Sequence, residues 1–138
     1  MATTIISRLT AWLQQEAGGL GLREVRSDGL DPAAHPAAVL RLVEQGGRYP
    51  VSEQRIELRV VVAGARPAEL MNQLGSLSTA IRARISRFCL EQPELRSIRW
   101  QQTSYPRPAS LAGGPVLASS VTELGLTAIA GNAQEVNA

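Results

Sequence analysis

Between Gly64 and Pro67 the hydrophobic period of this chain changes, and that change restricts the fold more than any single residue does. Before it, Ile56, Leu58, Val60 and Val62 share one side while Glu57 and Arg59 fall on the other. This is the period-2 pattern of a strand with one buried face. After it, Leu70, Leu74, Leu77, Ile81, Ile85 and Phe88 follow at steps of 4, 3, 4, 4 and 3, the spacing of one helical stripe. Gly64-Ala65-Arg66-Pro67 separates the two. A strand that runs straight into a long amphipathic helix buries both apolar faces most simply when the helix lies on the sheet.

The flanking segments complete that sheet. Residues 3–16 carry Ile5, Ile6, Leu9, Trp12, Leu13 and Glu16 in helical register, with Thr3 or Thr4 as N-cap and Gly18-Gly19 as a stop. Trp12 reads as a core anchor. Leu20–Val25 suits a short edge strand, and the segment from Ser27 to Pro32 a turn. AAVLRLVEQGG fits either a helix or a strand by period, and its length and glycine end favour a strand. Gly46 to Ser52 then reads as a hairpin connection pairing 38–45 with 54–63 antiparallel. Gln92-Pro93 ends the long helix, residues 95–100 alternate weakly, and residues 103–118 hold three prolines and two glycines with no clear period. Alternation returns over Ser119–Ala130, where neither side is wholly polar, as in a strand covered on both faces or lying at a subunit contact. The expectation is one α+β domain over 1–130, a mainly antiparallel sheet of about four strands with both helices packed on it. Residues 131–138 read as a frayed tail.

Composition narrows the function. At 138 residues the chain is long enough for a core without metal or disulfide staples. With two Trp, two Tyr and one Phe, that core must be mainly aliphatic. A net charge of +2 does not by itself mark a nucleic-acid binder. All 14 basic residues are Arg, which suits bidentate contacts to carboxylate or phosphate but equally follows from coding bias in a GC-rich genome. The N-terminus lacks a basic region followed by an apolar one, and no apolar run has the length to span a bilayer. A protein of the cell interior with no membrane partner is expected.

The residues of catalysis are sparse. Cys89 is the single cysteine, which rules out an internal disulfide, and beside Phe88 it reads as a small core hydrophobe. His35 is the single histidine, so a nucleophile dyad would have to join His35 to Cys89, and no sequence feature brings them together. The glycine pairs at 18–19, 46–47 and 113–114 match neither the dinucleotide fingerprint nor a phosphate loop. The chain is expected to be no enzyme and to take no metal or cofactor. Charge concentrates only at Arg82, Arg84, Arg87, Arg96 and Arg99, near Trp100 and Tyr105. That grouping fits a nucleic-acid surface, a partner contact, or simply the solvated side of the helix. The candidate interface regions are the loop around Tyr105, Arg107 and Leu111, the connection holding Arg48, Tyr49 and Glu53, and Arg82, Arg84 and Arg87 on the helix.

The order of elements resembles the tail terminator proteins of long-tailed bacteriophages, the lambda-type minor tail protein and its relatives. The resembling blocks are HPAAVLRLVEQGG, SEQRIELRVVVAGARPAEL, the long helix and SSVTELGLTAIA, with His35-Pro36, Glu57-Leu58, Ala65-Arg66-Pro67 and Ser119-Ser120 in the places that pattern gives them. With the similar N-terminal helix, the likeness covers residues 3–130. One departure is the loop before the last strand, often acidic in that family and here SYPRPASLAGGP, with one Arg and no acid. The resemblance implies a self-assembled ring, usually hexameric, that caps the tail tube, stops its polymerisation and offers a head-joining surface. The implied partners are the tail tube protein and a head-completion or neck protein. DNA would pass through the lumen without specific binding, and the protein would sit at the head-proximal end of the virion tail after assembly in the host cytoplasm. The alternatives are a head-completion or neck protein and an Arg-rich nucleic-acid-binding module.

Overall fold

The computed structural model describes residues 4–28, 30–110 and 114–129. Helix α1 (Ile5–Leu20) begins at Thr4, whose side-chain oxygen accepts from the Ser7 N–H and so satisfies one of the free donors of the first turn. The expected stop at Gly18-Gly19 is not used. The helix continues through both glycines, and Gly21, at φ 77°, supplies the left-handed cap whose N–H reaches back to Ala17 and Gly18.

Among the described residues six strands follow the expected plan, two of them beyond the four principal ones. They are β1 (Glu24–Arg26), β2 (Ala37–Gly46), β3 (Val51–Gly64), β4 (Leu95–Trp100), β5 (Ala109–Ser110) and β6 (Val116–Ile129). Between β3 and β4 runs α2 (Pro67–Leu90), with Pro67 in its first turn, where a missing N–H costs nothing. The sheet order is β1-β2-β3-β6-β4, with β5 pairing β6 beyond the end of β4. Only the β1–β2 pair is parallel. β6 comes after every other described element, yet it lies inside the sheet, between β3 and β4. The β2–β3 hairpin turns at Gly47, whose φ of 96° and close approach to the Val51 carbonyl leave no room for a Cβ.

Both helices cover one face. Leu9 and Leu13 of α1 and Leu74, Ile81 and Ile85 of α2 are fully buried against Leu40, Ile56, Val60, Val62 and Leu124 of the sheet. Trp12 packs on Phe88 with ring centroids 5.1 Å apart, as its place in the apolar register of α1 suggests. One buried seam is polar: the Ser78 and Ser120 hydroxyls lie 2.7 Å apart between α2 and β6.

The segment 103–118 differs from the unbroken loop expected. Gln101 N–H donates to the Glu123 carbonyl, Ser104 forms a two-way bridge with Val121, and β5 pairs Val116 and Leu117. The chain from β4 to β5 therefore keeps returning to the edge of β6 and bulges away in between. Pro106 and Pro108 lie in one of these excursions, where a missing N–H interrupts no ladder. The long loop read from composition is an edge with interruptions.

Candidate functional site

The face of the sheet away from the helices carries a lattice of opposite charges. In β3 the odd positions 53–59 are Glu53, Arg55, Glu57 and Arg59, and they point to this side. Glu57 stands directly opposite Glu123 of β6, an arrangement that would be repulsive alone. Two arginines resolve it. Arg41 donates to Glu57 at 3.0 Å from β2, and Arg55 reaches Glu123 at 2.9 Å and Glu44 at 3.1 Å. Arg59 pairs at 3.4 Å with Asp31 of the loop that follows β1, a solvent-exposed contact.

That loop is organised by Glu24 and Arg26. One Glu24 oxygen accepts from the backbone N–H groups of Ala33 and Ala34, and Arg26 bridges Glu24 and Asp28. For Glu24, desolvation alone would raise the pKa, but these N–H bonds and Arg26 together hold it below its ordinary value. Asp28 is lowered first by its bond to Arg26, then by the Leu30 N–H.

The arginines grouped in sequence do not form one surface. Arg84 turns toward α1 and pairs with Glu16. Arg82 turns the other way, donating to the Thr103 hydroxyl, which also accepts from Thr122, and so helps to hold the 101–104 stretch against β6. Arg87 is exposed on α2. Arg96 donates to the Pro93 carbonyl at the start of β4. Arg99 lies opposite Gly125, on the charge-bearing face and away from α2. Trp100 points to the helix side, where its indole N–H donates to Ser86 at 2.9 Å. Arg82, Arg84 and Arg99 therefore face three different ways.

The other candidates sit in two places. Arg48, Tyr49 and Glu53 are exposed at the β2–β3 hairpin end, with Tyr49 74 % exposed. Tyr105 and Arg107 are exposed on the excursion between β4 and β5; Leu111 lies outside the described residues. His35 and Cys89 are not brought together: His35 precedes the start of β2, opposite the end of β3 that leads into α2, whereas Cys89 lies about 33 Å along α2 from its first residue at the usual rise per residue. Cys89 is buried, and desolvation pushes its thiol up to about 11, which keeps it protonated at neutral pH. Among the described residues no three His, Cys, Asp or Glu side chains gather as a metal site. A depression of about 340 Å³ between the end of α1 and α2 is lined by Leu20, Gly21, Pro36, Gln73, Ser76 and Leu77, with no titratable side chain on it. Among the described residues no helix is long and apolar enough to cross a membrane.

Both edges of the sheet leave backbone groups open. β1 pairs only Ala37, Ala38 and Val39, so β2 from Leu40 to Gly46 has no strand on that side among the described residues. β4 ends the strand order, so Leu95 to Trp100 is likewise open on its far side. Sequence reading missed Glu44, Arg55 and Glu123 as surface determinants, and grouped Arg99 with the helix arginines rather than with this face. The alternation of Arg and Glu in β3 was visible, but the cross-strand partners depend on register, which pattern alone does not give. No protein-family model matches the chain, and no curated protein matches it.

Proposed function

We propose that this chain is a non-enzymatic assembly subunit of a bacteriophage tail, a terminator. Copies form a ring, hexameric on the pattern the resemblance implies, which caps the tail tube at its head-proximal end. The ring stops tube polymerisation and offers the surface that a head-completion protein joins.

The observation that carries this reading is the asymmetry of the sheet. Two helices bury one face, the other is a lattice of paired charges, and both edges keep open backbone. Open edges are a liability in a lone subunit and contacts in an oligomer. Contacts between two different surfaces, repeated around a closing rotation, give rings. The dispersal of Arg82, Arg84, Arg87, Arg96 and Arg99 supports DNA passage through a lumen rather than DNA recognition.

Negative-stain microscopy with native mass measurement, alone and with the tail tube protein, tests the proposal. The expected result is closed rings that bind tube ends. A strictly monomeric particle at high concentration in both conditions removes it. Rings that ignore tube ends and bind a portal-side partner reassign the chain as a neck protein.

A further inference from the structure

The open stretches of the two edges lie at the same level of the sheet. Register carries one row from Leu42 through Ile56 and Leu124 to Trp100, and the next from Glu44 through Arg55 and Gly125 to Arg99. Three successive antiparallel pairings separate β2 from β4, so these strands run in opposite directions. Above this level both edges are occupied, by β1 on one side and by Ser104 and β5 on the other.

We propose that copies of this chain join head to tail by antiparallel pairing of β4 with the open half of β2 in the next copy, Arg99 facing Glu44 and Trp100 beside Leu42. The inference rests on the ring reading above and names its contact. Continuing the sheet along its own rows puts Arg99 opposite Glu44 on the charge-bearing face, an opposite-charge cross-strand pair. Arg99 has no ion-pair partner among the described residues, and the Glu44 side chain is 65 % exposed although Arg55 touches it. On the helix side the same alignment sets Leu42, 39 % exposed, next to the half-buried Trp100.

The occupant is a second copy because each edge carries what the other lacks: a lone cation and an indole on β4, an exposed carboxylate and an exposed leucine on β2. Pairing β2 with β2 would bring Leu42 no indole and Arg99 no anion. The register shift between Leu42 and Glu44 adds to the selectivity. A bulge hinders a straight, unrelated strand, whereas the β4 rows already match Leu42 and Glu44 across it.

The test uses the full chain with Glu44→Cys and Arg99→Cys together. Directly opposite strand residues lie roughly 4.5–5.5 Å apart at Cα, within the range a disulfide spans, and the buried Cys89 does not compete. Mild oxidation should give a ladder of covalent oligomers ending at the ring mass, absent from either single variant. As a second arm, Glu44→Arg or Arg99→Glu alone should weaken subunit association about tenfold, and the two together should restore it. Rings in native mass spectra without a ladder overturn the edge contact and leave the ring reading standing. A ladder that stops at the dimer also overturns it, in favour of a two-fold contact. An unmodified chain that stays monomeric at every concentration overturns both.

Discussion

The two faces of this sheet are built from different interactions and do different things. Under the helices, Leu9, Leu13, Leu74, Ile81 and Ile85 exclude water completely, and burial of this kind supplies most of the stability of a small domain. On the far face, Arg41, Arg55 and Arg59 meet Glu57, Glu123, Glu44 and Asp31 in partly solvated pairs. Such pairs contribute little to folding. What they provide is a surface with fixed charge positions, in which like charges at Glu57 and Glu123 are tolerated only because arginines lie between them. One face holds the subunit together, and the other, with the sheet edges, is where it is free to be specific.

The sharpest way to break this contrast is a pair of truncations. Leu74→Ala or Ile85→Ala should destabilise the fold by about 2–5 kcal/mol in denaturant unfolding, because the site collapses only in part. A cost below about 1 kcal/mol at both sites would mean that α2 is not seated as described.

Next in size is the polar seam. Ser78→Ala or Ser120→Ala alone leaves one buried hydroxyl unpaired and should cost about 1–3 kcal/mol. Replacing both should cost less than the sum of the two single changes. Additive losses would show that the hydroxyls do not depend on one another.

Smaller effects are expected on the charged face. Arg55→Gln leaves Glu44, Glu57 and Glu123 with less neutralisation and should cost about 1 kcal/mol. Glu57→Gln removes a repulsion along with an ion pair and should fall near zero. Salt at about 0.5 M should shrink the difference between the two variants. If Glu57→Gln is the more damaging, the lattice is not balanced as its distances suggest.

The smallest effect is acid sensitivity of the 27–36 loop. Glu24 and Asp28 are held below their ordinary values, so the folded loop favours their charged forms. Its anchoring is therefore complete above the ordinary carboxylate range, about pH 4, and is lost as pH falls through the lowered folded-state values. Amide exchange at Ala33 and Ala34, whose N–H groups bond Glu24, should be slow at pH 6 and, corrected for intrinsic rates, lose protection in acid. Protection unchanged by acid would place the anchoring elsewhere.

Much of the inner face was legible in the sequence because it depends on period. The change from alternation to a helical stripe across Gly64–Pro67 located β3 and α2, and the hairpin followed from the glycines after Glu44. Capping was read less well: Gly18-Gly19 looks like a stop, but only Gly21 takes the left-handed conformation that ends α1. Prolines hid the edge character of 103–118, since backbone bonds at Gln101 and Ser104 leave no mark on side-chain pattern. The proximity of Arg82, Arg84 and Arg99 along the chain suggested a cluster. Helix rotation and strand alternation send them in three directions. The pairs on the far face are set by which strand lies beside which, and the insertion of β6 between β3 and β4 is what the linear order conceals.

That placement of β6 has a consequence for synthesis. A nascent chain that has made β3, α2 and β4 holds two sheet pieces with no shared partner, because the strand that joins them is made later than both. Non-local pairing of this kind is a slow step. Until it occurs, β3 is paired on its β2 side alone, β4 lacks its β6 partner, and the Leu124 and Leu126 portion of the core is missing. The subunit therefore gains its continuous sheet in one late event, and contacts that span the whole sheet cannot form from half-made copies. Completion of the fold and competence to assemble arrive together.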